Sequence, residues 1–264
     1  LPAKNHLGGV YDANQSPVDS NDPWMFIGPG AESDYVSFPS SGKMQISASD
    51  WNRPRWSNER INSFIEADLS NGFTVEIATQ ILSSSSNSAG FELEVFARCG
   101  TLKVHNYSVT ITPSNVYYRG AQIAAGLDNS GSFHRYRMTV RKDTTVQVYR
   151  DNELLAVKLM DTPGTNWRPS TRGTYIEWGI DAESAEVLLD HIAYDFGGAF
   201  EPCILSADLD SDNAVDGKDL ELFADNWLWW ASASADNRAD IDGDGDVDLI
   251  DYAHFALQWL QECP

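Results

Sequence analysis

The chain has 264 residues, 42% hydrophobic and 22% charged, which is enough apolar content for a folded core and too much for wholesale disorder. No apolar run approaches the ~20 residues of a membrane helix, so a helical membrane span is excluded. A net charge of −21 repels phosphate backbones, excludes nucleic acid as a partner and favours cations.

The first residue is Leu1, as expected of a mature secreted protein. The acid is unevenly spread. Residues 203–264 carry 15 Asp and Glu against 2 Lys and Arg, whereas residues 1–202 carry 24 against 16. The shift falls at Glu201-Pro202-Cys203, after Gly197-Gly198-Ala199-Phe200, and a domain boundary is expected there, giving units 1–200 and 203–264.

The first unit reads as all-β. Strands are predicted at 34–38 and 60–66, then over Gly72–Ile81 and Phe91–Phe96, where apolar and polar residues alternate. Others follow at 101–112, Tyr136–Arg141 and Thr145–Arg150. Asp151-Asn152-Glu153 turns into Leu154–Val157, and strands at 174–180 and 186–195 complete the set. Ser83–Ser88, Asp128–Gly131 and Pro163-Gly164 are the turn signals, and no helix-period segment precedes residue 200. Many short strands with one apolar face make a sandwich or barrel.

Phe133–Val140, Val146–Leu155, Tyr175–Gly179 and Leu189–Asp195 follow one another in an order that resembles the concanavalin A-like, laminin G-like family. The resemblance covers about residues 30–200 and implies a β-sandwich or jelly roll.

The second unit holds a repeat at an offset of 32 residues. Asp208, Asp210, Asp212, Asp216 and Asp219 match Asp240, Asp242, Asp244, Asp248 and Asp251, at loop positions 1, 3, 5, 9 and 12. Ca²⁺ takes about 6–8 hard oxygens, and a tight loop points alternate side chains inward. Position 7, Ala214 or Asp246, offers a backbone carbonyl. Position 6, Asn213 or Gly245, makes the sharp turn. Val215 and Val247 at position 8 are expected to pair the loops across a short bridge. An apolar stripe follows each loop: Leu220, Phe223, Ala224, Trp227 and Leu228, then Tyr252, Phe255, Ala256, Trp259 and Leu260. Two facing helices with a shared core are predicted. Without metal the carboxylates repel one another, so the unit is expected to fold on binding Ca²⁺.

This arrangement resembles a type I dockerin, two calcium loops each followed by a helix (an F-hand pair), over about residues 204–261. The resemblance implies two Ca²⁺ ions at the positions named. It also implies docking to a protein partner, a cohesin, through positions 10 and 11, here Gly217-Lys218 and Leu249-Ile250. The hydroxyl-bearing pair usual there is absent from both copies. Dockerin-like modules bring their ends together, which implies a Cys203–Cys263 disulfide; Cys99 is left as a buried small residue.

Glu92 and Glu94 approach the E-x-D-x-x-E pattern of sandwich glycosidases, but Glu94 stands in place of the middle Asp and Ala97, followed by Arg98, in place of the second Glu. They are expected to be solvated polar residues, and no catalytic set is predicted. His6, His105, His134, His191 and His254 are scattered, and none suggests a zinc site. Asn14 and Asn106 begin glycosylation sequons common by chance. Trp51, Arg53, Arg55, Trp56 and Trp167 are candidate ligand or partner contacts, as are Trp229 and Trp230, of which one is expected to meet the sandwich or a neighbouring chain. The sequence-level expectation is a secreted, non-catalytic calcium-binding protein of extracellular attachment or assembly, such as a self-assembling filament or surface-layer subunit. A lectin-like polysaccharide-binding module is the alternative, and a polysaccharide hydrolase or lyase the second.

Overall fold

The structure is a computed structural model that describes residues 9–20, 24–40, 42–58, 72–99, 103–141, 145–159, 174–200, 202, 206–210, 214–228, 237–242 and 244–261. They fall into two compact units that divide between residues 201 and 202.

The first unit is a sandwich of two antiparallel sheets. The first sheet has the order β13-β12-β11-β6-β15-β4-β3, with β1 also paired to β15. Its strands are β1 (Gly9–Asp12), β3 (Val36–Ser40), β4 (Lys43–Ala48), β6 (Gly72–Ser84), β11 (His134–Arg141), β12 (Thr145–Arg150), β13 (Glu153–Leu159) and β15 (Ala185–Asp195). The second sheet has the order β10-β9-β8-β7-β14-β5-β2. It comprises β2 (Met25–Ile27), β5 (Arg55–Ser57), β7 (Phe91–Cys99), β8 (Lys103–Ile111), β9 (Asn115–Tyr118), β10 (Ala121–Ala125) and β14 (Tyr175–Ile180).

The period of two explains the layers. Val75, Ile77, Met138, Val140, Val146 and Val148 point inward from the first sheet, and Phe91, Leu93, Val95, Ile176 and Trp178 meet them from the second; all are buried. Trp56 stacks on Trp178 with centroids 4.6 Å apart, and Trp24 meets Trp178 edge-on at 5.6 Å. Asp151 and Asn152 both take positive φ, the conformation of a two-residue turn that matches strand twist between β12 and β13. The expected strand at 60–66 and the Pro163-Gly164 turn lie outside the described residues.

A bulge between Leu189 and His191 lets β15 carry two adjacent polar side chains together. His191 lies between Asp190 (Nδ1, 3.0 Å) and Glu76 (Nε2, 3.3 Å), while Arg137 reaches Glu76 at 2.8 Å and Arg135 at 3.4 Å. Glu76 has no exposure. Burial pushes its carboxyl up, but the His191 hydrogen bond and the two arginines outweigh that and hold it below the usual range. Burial likewise pushes His191 down, and its two carboxylate partners raise it above the ordinary value.

The second unit contains two helices, α1 (Gly217–Asp225) and α2 (Leu249–Gln258), around a small core of Ala207, Leu209, Val215, Phe223, Ala239, Val247 and Phe255. No helix among the described residues is long and apolar enough to cross a membrane.

Candidate functional site

In the second unit the same carboxylates start the helices and close the loops. Asp216 and Asp248 are the N-caps, accepting from the Lys218 amide at 2.8 Å and the Ile250 amide at 2.6 Å. Asp219 and Asp251, three residues on, take the cap amides through Oδ2 at 2.8 Å each. Through Oδ1, Asp219 also accepts from Leu209 N (2.7 Å) and Asp210 N (3.1 Å), and Asp251 from Ile241 N (2.6 Å) and Asp242 N (3.1 Å). Each fully buried position-12 carboxylate therefore ties the beginning of its loop to the beginning of its helix. The spacing of positions 9 and 12, read from sequence as a pair of metal-ligand positions, is a capping box in the structure.

The remaining acids converge. Asp208, Asp210 and Asp219 bring ligand oxygens within 4.8 Å of one another; so do Asp240, Asp242 and Asp244, and so do Asp246, Asp248 and Asp251. Gly245, at φ +99°, makes the turn at position 6 and donates to Asp240 Oδ2 at 3.0 Å. Burial and then the neighbouring carboxylates raise Asp242 and Asp246 above the usual carboxyl range. Asp246 Oδ1 is buried with no hydrogen-bond partner. Hard oxygens crowded at this density, with one buried and unsatisfied, fit a divalent cation. The sequence expectation gave Asp246 only a backbone carbonyl; the structure adds its side chain. Asp212 lies outside the described residues.

The two halves are tied reciprocally. Val215 donates to Gln261 O and accepts from Leu260 N, both at 2.9 Å, while Leu228 N donates to Val247 O at 3.0 Å. The single-residue bridges therefore fall at Ala214 and Asp246, not at the position-8 valines, whose own backbone groups are taken by the chain leaving the opposite helix.

Phe223 and Phe255 meet at 5.3 Å as the shared core, but the rest of each apolar stripe is exposed. The helices stop at Asp225 and Gln258, so Trp227, Leu228, Trp259 and Leu260 lie beyond them. Leu220, Phe223, Ala224, Trp227, Leu249 and Tyr252 line an open apolar groove of about 460 Å³. Leu249 and Ile250 are 70% and 52% exposed. Lys218 reaches Asp210 at 3.7 Å. Trp229, Trp230, Cys203 and Cys263 lie outside the described residues, as does the side chain of Cys99.

A second constellation lies on the outer face of the second sheet. Glu92 and Glu94 on β7, Glu177 on β14 and Arg55 on β5 are brought side by side by the register Glu94↔Glu177↔Ser57 and Glu92↔Gly179↔Arg55. A side chain at Gly179 would meet Pro54 O at 2.2 Å; its absence lets Arg55 lie across the strand. Arg55 Nη2 reaches Glu92 at 3.1 Å and Glu94 at 2.5 Å, and Nε lies 2.7 Å from Glu177. Asn106 donates to Glu94 at 2.8 Å. One strand position further, Phe96 and Tyr175 stack at 4.3 Å.

All four charged side chains are between 12% and 17% exposed, so Glu92 and Glu94 are not the solvated pair expected from sequence. Burial, followed by repulsion from Glu94, pushes Glu92 up to about 7 despite Arg55. Sequence reasoning missed Glu177, because its neighbours in space come from strands far away in the chain. The alternation of Tyr175, Glu177 and Gly179 opposite Ile176 and Trp178 was the signal available.

The tryptophan candidates separate. Trp56 is fully buried and donates to Glu32, so it is core and not a ligand contact. The strand alternation that turns Arg55 outward turns Trp56 inward. Trp51 is 55% exposed, with Arg53 over its ring at 4.8 Å and Arg53 paired to Asp181 at 2.7 Å. Trp167 lies outside the described residues.

No protein-family model and no curated protein matches the chain. Among solved structures it is similar to the Emp46p carbohydrate recognition domain, with 9% identity, a TM-score of 0.46, and coverage of 71% of this chain and 95% of that one. It is similar to a carbohydrate esterase from Shiga toxin-encoding bacteriophage phi24B, with 13% identity, a TM-score of 0.48 and coverage of 70% and 95%. A botulinum neurotoxin type C structure, reported for its interaction with two ganglioside molecules, matches at 10% identity and a TM-score of 0.47; the match covers 71% of this chain and spans about half (47%) of that one. At such scores the likenesses carry no functional weight, and the sandwich rests on the two sheets themselves.

Proposed function

We propose that the chain is a secreted, non-catalytic calcium-binding attachment protein. In this reading the C-terminal unit is a dockerin-like F-hand pair that takes two Ca²⁺ ions, and the sandwich, of the concanavalin A-like or laminin G-like kind, holds polysaccharide on the outer face of its second sheet. The observation that carries the calcium half is the convergence of Asp246, Asp248 and Asp251, with Asp246 Oδ1 buried and unsatisfied, and of Asp240, Asp242 and Asp244 as a second group in the same loop. Asp208, Asp210, Asp212, Asp216 and Asp219, with the Ala214 carbonyl, are the corresponding ligands of the first loop. Bound calcium neutralises the repulsion within each loop. The apolar groove between α1 and α2 is then the face for a protein partner or another copy of the chain.

The sugar half rests on the outer sheet face. Polysaccharide sites combine an aromatic platform with fixed polar groups; Phe96, half-buried and backed by the buried Tyr175 ring, is the platform in this reading, and Arg55, Glu94, Glu177 and Asn106 are the polar groups. Glycan-array binding in millimolar Ca²⁺ and in excess EDTA, with Tyr175→Ala and Glu177→Gln alongside wild type, tests the proposal. Glycan signals that both variants lose support it. An array with no signal refutes the sugar half, and circular dichroism identical in Ca²⁺ and EDTA refutes the calcium half.

A second reading, polysaccharide cleavage, is favoured by one observation. Glu92 and Glu94 touch the same Arg55 nitrogen, so their carboxyl oxygens lie no further apart than those two short contacts span, near the roughly 5 Å of a retaining pair. With its carboxyl near 7, Glu92 could donate a proton at neutral pH while Glu94 or Glu177 serves as the partner carboxylate. Reducing-end release that disappears in Glu92→Gln would replace the non-catalytic reading.

A further inference from the structure

We infer that the sandwich carries a serine esterase centre at one end, with Ser132 as nucleophile, His134 as general base and Asp151 as the residue that positions the imidazole, acting on short acyl esters. The inference goes beyond the attachment reading above, whose calcium and sugar halves rest on other residues and do not depend on it. It adds chemistry to a sandwich otherwise read as non-catalytic.

The centre is assembled where β11 begins and the turn between β12 and β13 comes back beside it. Ser132 and His134 are two residues apart at the entry to the strand, so their side chains share a side. Phe133 between them is held under the Lys43 ammonium, 3.9 Å from its ring centroid. Asp151 arrives from the turn, its amide donating to Arg135 O at 2.8 Å and its Oδ1 accepting from Arg135 N at 2.9 Å. Those two bonds leave Oδ2 facing His134 Nδ1 at 2.6 Å. Ser132 Oγ lies 3.1 Å from the other ring nitrogen, Nε2. Serine, histidine and aspartate thus stand in one hydrogen-bonded series, with Ser132 exposed and the His134 side chain 14% exposed.

Arg150 fixes the tautomer. Its Nη2 lies 2.8 Å from His134 Nε2, and a guanidinium can only donate. Nε2 is therefore the bare, accepting nitrogen, and Nδ1 carries the hydrogen that Asp151 accepts. The Ser132 hydroxyl donates to the same bare nitrogen. This is the protonation state from which an imidazole removes a serine proton. Arg150 is itself held by Asn129 Oδ1, 3.1 Å from its Nε, and by the Asp128 carbonyl, 2.6 Å from its Nη2. Asn129 is fully buried and bonded to Tyr136 and the Thr112 carbonyl, so the series is set on a rigid base.

The chemistry follows from these contacts. Ser132 Oγ bonds to the ester carbonyl carbon as its proton passes to Nε2, and Asp151 stabilises the imidazolium. Protonation of Nε2 releases the Arg150 N–H that was donated to it and leaves that donor beside the new oxyanion. The carbonyl re-forms as the bond to the leaving alcohol breaks, and Nε2 gives its proton to that alcohol. Water then attacks the acyl-serine with His134 again as base, which releases the carboxylic acid and restores Ser132. An exposed nucleophile suits a short acyl group, carried on a small molecule or presented by a polymer.

The test is hydrolysis of 4-nitrophenyl acetate by the full chain at neutral pH, with Ser132→Ala, His134→Ala and Asp151→Asn alongside wild type. A fluorophosphonate probe mapped by peptide mass spectrometry gives a second readout. Asn tolerates the left-handed backbone at 151 while removing the charge. The expected result is one adduct, on Ser132, that His134→Ala no longer takes. Each variant loses about a hundredfold or more in kcat/KM, with unchanged tryptophan-fluorescence melts, and the Asp151→Asn loss falls on kcat with KM held. Acetate released from acetylated xylan as well would place the ester on a polymer, and turnover of 4-nitrophenyl acetate alone would place it on a small molecule; both support the centre. A wild type that takes no adduct at Ser132, or turnover equal in wild type and Ser132→Ala, would overturn the inference, whatever the calcium and glycan tests return.

Discussion

Replacing Glu92 with Gln isolates the electrostatic cost stored on the outer sheet face. Glu92→Gln keeps the shape and the contact with Arg55 but removes the ionisable group. In the folded protein the Glu92 carboxyl is raised from 4.5 to about 7, by burial first and Glu94 second. A carboxyl whose folded value is raised binds its proton more tightly folded than unfolded, so stability is fullest below the unfolded value and falls as pH rises towards the folded one. At about 1.4 kcal/mol for each unit, the wild type loses about 3 kcal/mol between pH 4.5 and just above 7 from this residue, and then no more. Glu92→Gln escapes that loss. It should therefore match wild type near pH 4.5 and exceed it by about 3 kcal/mol at pH 8.5. Urea denaturation at several pH values reads this through the intrinsic fluorescence of Trp24, Trp56 and Trp178, all fully buried in the sandwich. A stability difference between variant and wild type that stays constant from pH 4.5 to 8.5 would refute the argument.

Three further outcomes follow from the same geometry. Glu76→Gln leaves Arg135 and Arg137 without their buried counter-charge, removes one of the two carboxylates beside His191, and should cost about 3–5 kcal/mol by urea denaturation at pH 7; in wild type, the Glu76 share is lost on acidification through its lowered folded value, and the His191 share as pH rises through its raised one. Asp248→Ala removes the N-cap of α2 and should cost about 1 kcal/mol from the cap alone, with the lost ligand-position carboxylate adding to that in calcium-loaded protein, while circular dichroism shows reduced helix content. Phe223→Ala empties the centre of the seven-residue core, where Phe223 meets Phe255, and should remove about 3–5 kcal/mol; melts in Ca²⁺ should show the helical signal lost at a lower temperature, with the sandwich transition unmoved.

The strands with a clean period of two were legible because apolar residues alternate with polar ones along them, even where, as in β6 and β12, both faces are buried. β6, β7, β11, β12, β14 and β15 all follow from alternation. The short strands β1, β2, β5 and β9 were not, since three or four residues carry too little periodicity and their pairing is decided by tertiary partners; β10 and the alternating β4 also went unread. The carboxylate register of the loops was legible because it repeats. The second use of positions 9 and 12 as capping boxes was hidden behind the metal-ligand reading. The exposure of the apolar stripes was also hidden, since periodicity records which residues share a face but not how far the helix runs. The Arg55 cluster depends on pairing between strands about 40 and 120 residues apart, which no local pattern encodes.

The reciprocal ties between the two repeats bear on how such a unit could have arisen. Val215 of the first copy is held by residues following α2, and Leu228, following α1, is held by Val247 of the second. Each copy binds the start of its own loop through its position-12 carboxylate, but its position-8 backbone is completed by the other copy. A peptide carrying one copy would leave Phe223 or Phe255 half covered and its position-8 backbone unpaired, and its simplest remedy is a second molecule of the same peptide, packed as a symmetric dimer. The 32-residue repeat thus has the contacts of a protomer in miniature, and the present unit holds in one chain the pairing that such a dimer would make.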